Sequence, residues 1–406
     1  MSVVALFDDG QGRLGTMTDL RAAYEVRTGA LTTLERWENL LGEPVDGLAC
    51  PERVRAVCEE RLGRKVNDVG ALAQRAGAEG VVFVSGRCVL PFAEAADLKL
   101  RCAVVEKGSG HVIAARLAGG EAEAFARDWK LPAGVTVEEW DVGLLVHRPW
   151  DVIRLRDEAI LHDLARLSDR DSQELPPEVL AIGEEGLTID PTAAVYPTVV
   201  FDLEHGPVVV AEEAVIRPGA IVCGPAFIGA HSTVMDRAHV KANTAIGPWC
   251  KVGGEVGGTI FQGWANKSHE GHLGDSWVGE WANLGAGTTN SNLLNTYGDV
   301  MSKAGAGAPT ERTGLTFFGS VIGDHVKTAI CTRLMTGVTI GTGTMVASSA
   351  YVSGAVPAMR WVTDGGEKAY RFEKFMEVAR AMMARRKMAP GKAYTEALRA
   401  LGGERA

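Results

Sequence analysis

The sequence predicts three parts in succession: an α/β domain, a parallel β-helix and a C-terminal helical tail. The β-helix is predicted by an aliphatic residue that recurs at every sixth position without interruption. The recurring residues are Val210, Ile216, Val222, Ile228, Val234, Val240, Ile246 and Val252. Alternating strand and helix patterns before this stretch predict the α/β domain. Apolar residues at helical spacing after it predict the tail.

A period of six matches neither an α-helix nor an isolated strand. It is typical of a β-helix in which each six-residue side points one aliphatic residue inward. Three sides form one coil, so Ile228 and Ile246 lie one coil apart. The six-residue period begins less regularly at Ile189, Val195 and Phe201. It recurs at Val278, Leu284, Ile322, Leu334, Ile340, Val346 and Val352, with Thr328 as a polar member. A β-sandwich with accidental spacing is the alternative, and eight consecutive matches disfavour it.

Changes in residue pattern along the chain predict the domain boundaries. Residues 1–170 form the α/β domain, and the polar, proline-containing residues 171–188 form a linker. Residues 189–357 form the β-helix, which we expect Pro357 to end. Residues 358–406 form the helical tail, since aromatic and Met residues recur there on one helical face.

The α/β domain is predicted to have a mostly parallel sheet. The predicted strands are Val3–Phe7, Val81–Val84 and Asp141–His147. The predicted helices are Leu31–Leu41, Val54–Leu62 and Pro149–Leu167, followed in the tail by Ala369–Lys387 and Lys392–Leu401. Ligands of such sheets bind beyond the carboxyl ends of the strands. This places Asp8, Asp9 and Gly10 on one rim with Ser85-Gly86-Arg87, because both groups directly follow predicted strands.

Composition excludes several classes of protein. The net charge of −9 argues against nucleic acid as the main partner, since phosphate binding needs a basic face. The opening MSVVALFDDGQ lacks a basic segment, and no apolar run is long enough to span a membrane. Seven scattered cysteines with no C-x-x-C spacing predict reduced thiols in a cytoplasmic protein, without disulfides or a zinc site.

Residues 4–37 resemble the opening of the GlmU-like sugar-phosphate nucleotidyltransferases. That family shows an F-D/E-D start, an Arg in the following loop, and R-x-G-x-L-T-x-x-E-K/R-W. The residues that match are Arg21, Arg27, Gly29, Leu31, Thr32, Glu35, Arg36 and Trp37, together with Ser85-Gly86-Arg87 and Pro149-Trp150-Asp151. The resemblance implies a Rossmann-like domain that binds a nucleoside triphosphate and a sugar 1-phosphate. Arg13, Arg21 and Arg27, beside Gly10, Gly12 and Gly29, are the candidate phosphate ligands.

Two departures bear on the nucleotidyl transfer. Better-known members carry Gly-Asp where this chain has Gly86-Arg87, and that Asp helps to hold Mg²⁺. The usual G-x-G-T-R-M loop is also missing. Asp8 or Asp9 remains as a candidate Mg²⁺ ligand, with a solvated turn as the alternative. Two readings stay open: working nucleotidyl transfer, or a fold that binds a ligand or orients the molecule.

Residues 255–292 interrupt the six-residue period and carry a second set of candidate residues. The run K-S-H-E-G-H-L-G-D followed by N-L-G-A-G-T is similar to the acetyltransferase domain of bifunctional N-acetylglucosamine-1-phosphate uridylyltransferases (GlmU). On that alignment the catalytic His of the family is His269, its neighbouring Tyr is His272, its late Asn is Asn292 and its substrate-binding Glu is Glu255. Two substrate-binding lysines of the family are absent, because their positions fall on Gly257 and Gly319.

The residue types suit acyl transfer from acetyl-CoA to an amine. Imidazole is the side chain best matched to the ammonium proton, so His269 is the candidate general base. Backbone N–H groups of the G-A-G-T turn or the His272 ring are candidate oxyanion donors. Glu255 or Glu270 is a candidate for orienting the imidazole or the amine. A solvated surface turn is the alternative for His269, and metal binding by His269 and His272 is a weaker one.

The sequence therefore predicts a sugar-phosphate nucleotidyltransferase joined to an acyltransferase-type β-helix, in nucleotide-sugar and cell-envelope polysaccharide metabolism. The resemblance further implies a left-handed coil and a homotrimer. Residues 295–317 are expected to project over a cleft between subunits. Two alternatives remain: nucleotidyl transfer alone with the β-helix as a trimerising scaffold, or a non-catalytic nucleotide-sugar binding protein.

Overall fold

The computed structural model describes residues 2–403. A six-stranded sheet with the order β2-β1-β3-β5-β4-β6 forms the centre of the N-terminal domain. Its strands are β1 (Val3–Phe7), β2 (Gly47–Ala49), β3 (Val81–Ser85), β4 (Cys102–Glu106), β5 (Val112–Leu117) and β6 (Thr136–Trp140). β1 and β3 are buried because they lie inside the sheet and carry almost only apolar residues. The α/β prediction is confirmed.

Five helices surround this sheet and two form the tail. They are α1 (Thr33–Leu41), α2 (Glu52–Leu62), α3 (Val69–Ala76), α4 (Gly119–Asp128), α5 (Pro149–Leu167), α6 (Phe372–Ala384) and α7 (Lys392–Leu401). Short 3₁₀ turns lie at Gly15–Thr18, Ala23–Glu25, Gly77–Glu79 and Ala93–Asp97. Thr32 and Glu35 form a capping box that starts α1, and the left-handed Gly42 ends it. Asp151 accepts the backbone N–H groups before α5, so the helix starts at Pro149 as predicted.

The sheet is mostly parallel, as predicted, with β5 as its antiparallel strand. β1 pairs in parallel with β2 and β3, and β4 with β6, but β5 runs antiparallel to both β3 and β4. The predicted strand at Asp141–His147 is wrong, because β6 ends at Trp140. β6 is an edge strand with mostly exposed side chains, so it lacks the apolar pattern that marks a buried strand.

The β-helix contains many short strands. Its first coils comprise β7 (Leu180–Ile182), β8 (Leu187–Ile189), β9 (Ala194–Val195), β10 (Val200–Asp202), β11 (Val208–Val210), β12 (Val215–Ile216), β13 (Ile221–Cys223), β14 (Ala226–Ile228), β15 (Thr233–Val234), β16 (His239–Val240), β17 (Thr244–Ile246) and β18 (Lys251–Val252). The middle coils comprise β19 (Glu255–Gly257), β20 (Ile260–Phe261), β21 (Asn266–Lys267), β22 (His272–Gly274), β23 (Trp277–Val278), β24 (Thr289–Asn290), β25 (Met301–Ser302) and β26 (Glu311–Arg312). The last coils and the hairpin that follows comprise β27 (Ser320–Ile322), β28 (Lys327–Thr328), β29 (Arg333–Leu334), β30 (Val338–Ile340), β31 (Met345–Ala347), β32 (Ala355–Val356), β33 (Arg360–Thr363) and β34 (Gly366–Ala369).

Strand pairing confirms the predicted coil. Val210 pairs with Ile228 and Ile228 with Ile246, one coil apart in each case. The aliphatic residues of the six-residue period are buried together in one continuous core along the axis. The coils form the parallel β-helix that the six-residue period predicts. Between β17 and β20 the coil shortens, since Ile246 pairs with Phe261. This shortening marks the interruption seen in the sequence.

Two faces of the β-helix differ in what covers them. The docked face, β8-β11-β14-β17-β20-β23-β27-β30-β32, packs its outward side chains against the N-terminal domain. α5 supplies much of this contact through Trp150, Ile153, Ile160 and Leu164, which share a buried cluster with the docked face. The open face, β7-β10-β13-β16-β19-β22, carries partly exposed side chains. The N-terminal domain therefore leaves the open face accessible.

An aromatic ladder runs up one corner of the β-helix. Its members are His231, Trp249, Trp264, Trp281 and His325, all left-handed with φ between 58° and 60°. Successive ring centroids lie 4.2, 5.1, 4.8 and 6.4 Å apart with nearly parallel planes. At its far end, His325 Nε2 lies 2.8 Å from the Tyr394 hydroxyl on α7. The ladder links the stacked coils to the tail.

Residues 295–317 fold back on the N-terminal domain. Val300 and Ala304 share a buried cluster with Trp150 of α5. Arg148 also donates to Glu311 at 2.9 Å. The expected projection is thus an interdomain contact.

The tail begins later than predicted. Residues up to Ala369 belong to the β33–β34 hairpin, and the first tail helix spans Phe372–Ala384. α7 lies at its predicted position. Within residues 2–403, none of the helices has the length and apolar character needed to cross a bilayer.

Candidate functional site

A polar cluster gathers at the edge of the N-terminal sheet where β1, β3 and β4 end. Asp9 follows β1, Arg87 follows β3, Glu106 ends β4, His111 precedes β5, and His147 lies just before α5. The strand ends meet there because β1, β3 and β4 run in one direction and β5 in the other. Open α/β sheets bind ligands at this edge. We call these five residues the rim cluster.

Arg87 is the centre of the rim cluster, and its side chain is completely buried. Its Nε and Nη2 donate to the two carboxylate oxygens of Asp9 at 3.0 and 2.7 Å. Its Nη1 lies 3.2 Å from His147 Nδ1, and its Nη2 lies 3.1 Å from His111 Nδ1. A Cβ on Gly12 would lie 2.7 Å from Cδ of Arg87, so a glycine is needed where the loop after β1 crosses this side chain.

Glu106 fixes the second histidine of the rim cluster. Its Oε2 lies 2.6 Å from His147 Nε2 and accepts a hydrogen bond from the Ser109 hydroxyl at 2.6 Å. Burial alone would raise the pKa of Glu106, but the hydrogen bonds from Ser109 and His147 outweigh it and hold the pKa below its usual value. Glu106 is therefore an ionised acceptor that orients His147.

The residues present do not fit the expected Mg²⁺ site. Asp8 is buried, and its two oxygens accept the backbone N–H groups of Gly10 and Ala23 at 2.9 and 2.8 Å. Burial raises the pKa of Asp8. Both Asp9 oxygens are bound to the Arg87 guanidinium, whose charge would repel a cation. No group of three or more His, Cys, Asp or Glu side chains within residues 2–403 is arranged to hold a metal ion.

Arg21 does not lie on the rim. It is completely buried, and its Nη2 contacts Asp324 at 2.8 Å and Glu280 at 3.3 Å. Arg61 of α2 contacts the same Glu280 at 2.9 Å. Arg21 was expected to bind phosphate; the structure instead places it in a buried ion cluster between the N-terminal domain and the β-helix.

Arg27 and Gly29 are also structural. The Arg27 backbone N–H donates to the Gln262 side chain at 2.8 Å and its Nε donates to the Gln262 carbonyl at 3.2 Å, so it too joins the two domains. A Cβ on Gly29 would lie 2.6 Å from Arg36 and 2.7 Å from Asp163. Those two side chains form a buried pair between α1 and α5, with Nε to Oδ1 at 2.7 Å. The expectation of phosphate contacts at Arg27 and Gly29 is therefore wrong.

Three predicted rim residues support the cluster from below or beside it. Ser85 is buried, and its hydroxyl accepts the Arg87 backbone N–H at 3.3 Å. Gly86 packs closely on Tyr24, because a Cβ there would lie 2.8 Å from the Tyr24 Cβ. Gly10 is exposed and turns the chain after β1 with a φ of 68°. These residues shape the rim without offering a charged group.

Of the three arginines predicted as phosphate ligands in the opening segment, Arg13 is the exposed one, and it remains near the rim. Its backbone N–H donates to the His147 carbonyl at 2.9 Å, which holds its loop beside the rim cluster. A cavity of about 520 Å³ opens close by, between the end of β2 and α4. Asn67, Cys50 and Trp129 contribute to its lining. This volume is in the range of small-molecule sites.

The second candidate site lies on the open face of the β-helix. Glu255 pairs in register with His272, and its Oε1 lies 3.3 Å from His272 Nδ1. Lys241, one coil earlier, forms an ion pair with the same carboxylate. This contact, together with neighbouring charges, lowers the pKa of Glu255. The predicted residues Glu255 and His272 are thus brought together, and Lys241 joins them.

Asn292 reaches the same region through Asp275. Its Nδ2 donates to Asp275 Oδ2 at 2.7 Å, and the other oxygen of Asp275 accepts from Arg156 of α5 at 2.8 Å. A Cβ on Gly274 would lie 2.6 Å from Asn292 Nδ2 and 2.7 Å from His272 Nε2. Asn292 and His272 therefore flank one glycine of β22.

Contacts around Gly257 and Gly319 explain why the two substrate-binding lysines of the family are absent at these positions. A Cβ on Gly319 would lie 2.0 Å from the Gly274 carbonyl oxygen, so no side chain fits. A Cβ on Gly257 would lie 3.0 Å from Cβ of Lys241, whose side chain covers that position.

His269 lies on an exposed turn between β21 and β22. The turn is held from inside by Lys267, which occupies an inward position beside Val252 and is 1% exposed. The Lys267 ammonium donates to the carbonyls of Gly253 and His269 at 3.1 and 2.8 Å. Burial lowers the pKa of Lys267 to about 8. Within residues 2–403, no hydrogen bond joins the His269 ring to Glu255, His272 or Asn292.

Sequence reasoning missed Glu106, His111 and His147 in the rim cluster and Lys241 on the open face. Glu106 and His111 lie on either side of the turn between β4 and β5, and His147 follows much later in the chain. None of the three lies in a motif, and the antiparallel insertion of β5 brings them together at the rim. Lys241 does carry a signal. It lies sixteen positions before Gly257, and the strand pairing of His239 with Glu255 makes it the direct neighbour of that glycine.

The fold defines the class of the molecule: a nucleotidyltransferase-type α/β domain joined to a β-helix of six-residue repeats. Residues 4–171 match the family model described as sugar nucleotidyl transferase, which confirms the resemblance for the N-terminal domain.

Curated relatives agree with this class. The chain is 27% identical over 229 residues to the bifunctional protein GlmU of Synechococcus elongatus, covering 51% of this chain and 46% of the relative. It is 30% identical over 151 residues to the bifunctional protein GlmU of Methanococcus aeolicus, covering 37% of this chain and 36% of the relative. The chain thus spans less than half the length of these relatives.

Solved structures give a weaker likeness. The acetyltransferase domain of PglB from Neisseria gonorrhoeae is 14% identical, with 74% of this chain and 91% of that chain covered, at a TM-score of 0.20. PerB from Caulobacter crescentus, in complex with CoA and GDP-perosamine, is 12% identical, with 91% and 97% covered, at a TM-score of 0.16. TM-scores this low support no inference about ligands.

Proposed function

We propose that the protein is a two-site transferase of nucleotide-sugar metabolism. The N-terminal site joins a nucleoside triphosphate to a sugar 1-phosphate, and the β-helix transfers an acetyl group from acetyl-CoA to an amino sugar. The observation that carries the first activity is the family match of residues 4–171 on a sheet whose ligand-binding edge gathers the rim cluster. The sugar and the base are to be identified by experiment.

In the first reaction, an oxygen of the sugar 1-phosphate attacks the α-phosphorus of the nucleoside triphosphate. The bond from that phosphorus to the bridging oxygen breaks, and pyrophosphate leaves. We assign the exposed Arg13 to the phosphates, because its loop is bonded to the His147 carbonyl beside the rim cluster. The cavity beside β2 has room for the base. No step is assigned to Mg²⁺, because the carboxylates of Asp8 and Asp9 are already bound.

A screen of nucleoside triphosphates against sugar 1-phosphates, with pyrophosphate release and the nucleotide sugar both measured, tests this reaction. We expect one pair to react and Arg13→Ala to slow it, since phosphate contacts of arginine are strong. Arg237→Ala is the matched control, because that arginine is exposed on a turn of the β-helix, outside the N-terminal domain. Absence of product from every pair would refute nucleotidyl transfer.

A second candidate for the N-terminal domain is nucleotide-sugar binding without chemistry. It is favoured by the Arg87–Asp9 pair, which occupies the place where the resemblance expects a metal-binding carboxylate. Saturable binding of a nucleotide or nucleotide sugar without any product in the screen would support this candidate over the first.

In the second reaction, the amine attacks the thioester carbonyl of acetyl-CoA, the carbon–sulfur bond breaks, and CoA leaves. We propose that His269 takes the proton from the amine and that His272, held by Glu255, faces the developing oxyanion. Support comes from the exposure of His269 on a turn beside Glu255, His272 and Asn292.

The test of this second site is His269→Ala. It should lower acetyl transfer to an amino sugar or amino-sugar phosphate by about 10²–10⁴-fold, the usual range for a general base. His205→Ala, an exposed histidine on another loop, should leave the rate unchanged. If the wild-type protein neither binds acetyl-CoA nor acetylates any acceptor tested, the β-helix is a scaffold.

A further inference from the structure

Arg87 imposes one protonation pattern on the two histidines of the rim cluster. A guanidinium is only a donor, so the Nδ1 atoms of His111 and His147 must both accept from it. In a neutral imidazole the other nitrogen, Nε2, then carries the proton. His147 uses this N–H on Glu106 at 2.6 Å. His111 is therefore the ring with an N–H to offer.

The surroundings of His111 keep its donor free and neutral. Among residues 2–403, no protein group bonds to Nε2 of His111, and the ring is half-buried at the sheet edge. Burial and the adjacent Arg87 charge lower the pKa of His111, while the carboxylates of Asp9 and Glu106 act in the opposite direction. A neutral N–H donor at fixed orientation suits an anionic oxygen.

We propose that His111 binds a phosphate oxygen of a nucleotide through its Nε2–H, and that this contact needs no divalent cation. The proposal rests on the proposed function, because it concerns the same N-terminal site. Three observations carry it: the bidentate Arg87–Asp9 pair, the Arg87 contacts to both rings, and the position of the cluster at the ends of β1, β3 and β4.

The ligand is a nucleotide phosphate rather than a metal complex. Asp9 is neutralised by Arg87 and Glu106 is directed to His147 and Ser109, so neither carboxylate is left to attract a cation. Arg13, on the loop that packs against the His147 carbonyl, adds an exposed positive charge beside the same edge. A neutral donor and an exposed cation can together bind the charged phosphate oxygens.

The test is titration of the full-length protein with ATP, CTP, GTP, UTP and dTTP, in Mg²⁺ and in EDTA, followed by calorimetry and by ¹⁵N resonances of the histidine rings. We expect one nucleotide to bind with the same affinity within about threefold in both buffers, and to shift the Nε2 resonance of His111. His111→Ala should weaken binding about 10- to 100-fold, the range for a hydrogen bond to a charged group.

Two further variants separate a donor role from a structural one. His111→Gln places an amide N–H near the position of Nε2 and should restore most of the affinity. His205→Ala, on an exposed loop of the β-helix, should leave binding unchanged. Equal losses in His111→Ala and His111→Gln would overturn the donor role.

The outcomes also distinguish this proposal from the proposed function. Binding that requires Mg²⁺, or that leaves the His111 resonances unmoved, overturns the inference and leaves nucleotidyl transfer standing. Absence of binding by every nucleotide in both buffers overturns both. A free ring that carries its proton on Nδ1 rather than Nε2 contradicts the inference before any ligand is added.

Discussion

At the scale of single residues, arginines of the opening motif have a different role from the one their sequence context suggests. Arg21 and Arg27 follow a glycine-containing loop, as phosphate-binding residues do, yet both are buried and bonded to the β-helix. Arg87 likewise forms its hydrogen bonds with other side chains of the protein. Charged groups this deeply buried are stabilised by their partners, so removing one partner is costly.

We expect Arg21→Met to lower the free energy of unfolding by about 3–5 kcal/mol, because it leaves Asp324 buried beside Glu280 without the cation between them. Urea unfolding measures this change. Arg55→Met is the control, since Arg55 is 43% exposed and its surface ion pairs contribute little. A loss below 1 kcal/mol for Arg21→Met would mean that the buried cluster does not hold the domains together.

Lys267 provides a pH test of a buried charge. Its pKa of about 8 in the folded protein lies below the value of 10.5 for a free lysine, so the unfolded chain binds more protons between those pH values. Stability from this group therefore rises as pH increases from 8 towards 10.5. The unfolding free energy of the wild type minus that of Lys267→Met should therefore increase by about 2 kcal/mol from pH 7.5 to 9.5.

The control for this prediction is Lys251→Met, on the strand one coil before Lys267. Lys251 points outward and is half-buried, so Lys251→Met removes a lysine from the same coils without removing a buried ammonium. A difference between the wild type and Lys267→Met that does not change with pH would show that the Lys267 ammonium is not desolvated.

At the scale of elements, the aromatic ladder combines two energetic terms that act in opposite directions. Left-handed backbone is unfavourable for large L-residues, yet each member of the ladder adopts it. Stacking between adjacent coils offsets this strain, with ring centroids near 5 Å in the middle of the ladder. The short loops of the β-helix place one ring per coil at the same corner.

Trp264 sits in the middle of the ladder and allows the two terms to be separated. Trp264→Ala should destabilise the protein by about 2–4 kcal/mol, because it removes stacking on both sides and keeps the backbone strain. Trp264→Gly should be less damaging by about 0.5–1 kcal/mol, since glycine adopts left-handed backbone freely. Thermal or urea unfolding of both variants measures the difference, and a more stable Ala variant would contradict it.

At the scale of the whole molecule, the N-terminal domain limits which surface can mediate self-association. The sequence suggested packing through an outward surface rich in Ala, Gly and Val. The structure covers the docked face with α5 and its neighbours, which leaves the open face accessible. Leu180, Ile182 and Ile221 are exposed there, at 54, 41 and 38%. Exposed apolar patches of this kind favour protein contacts.

We expect a trimer of about 129 kDa by light scattering, three times the 43.1 kDa of one chain, formed through the open face. Ile221→Asp should lower the mass towards that of one chain, because it places a charge in the apolar part of this face. Val378→Asp on α6 is the control, since Val378 is equally exposed, at 39%, on a different surface. A wild-type mass of one or two chains would refute the trimer.

The sequence alone determined the β-helix and its coil length. Each inward position must carry a side chain that stacks on its neighbours one coil away, so the architecture leaves a strict period in the chain. The helix start at Pro149 was also a local feature, because helix capping depends on residues within one turn. The family resemblance of residues 4–171 was likewise visible in contiguous motifs.

Only the tertiary structure decided where the charged side chains lie and which groups they contact. Strand order places His111 and Glu106 beside Arg87, and the docking of two domains buries Arg21 and Arg27. These outcomes depend on contacts between residues far apart in the chain, and the charge of an arginine does not reveal whether its partner is a substrate or a buried carboxylate. Local patterns therefore predicted the elements, whereas the composition of the sites depended on how those elements pack.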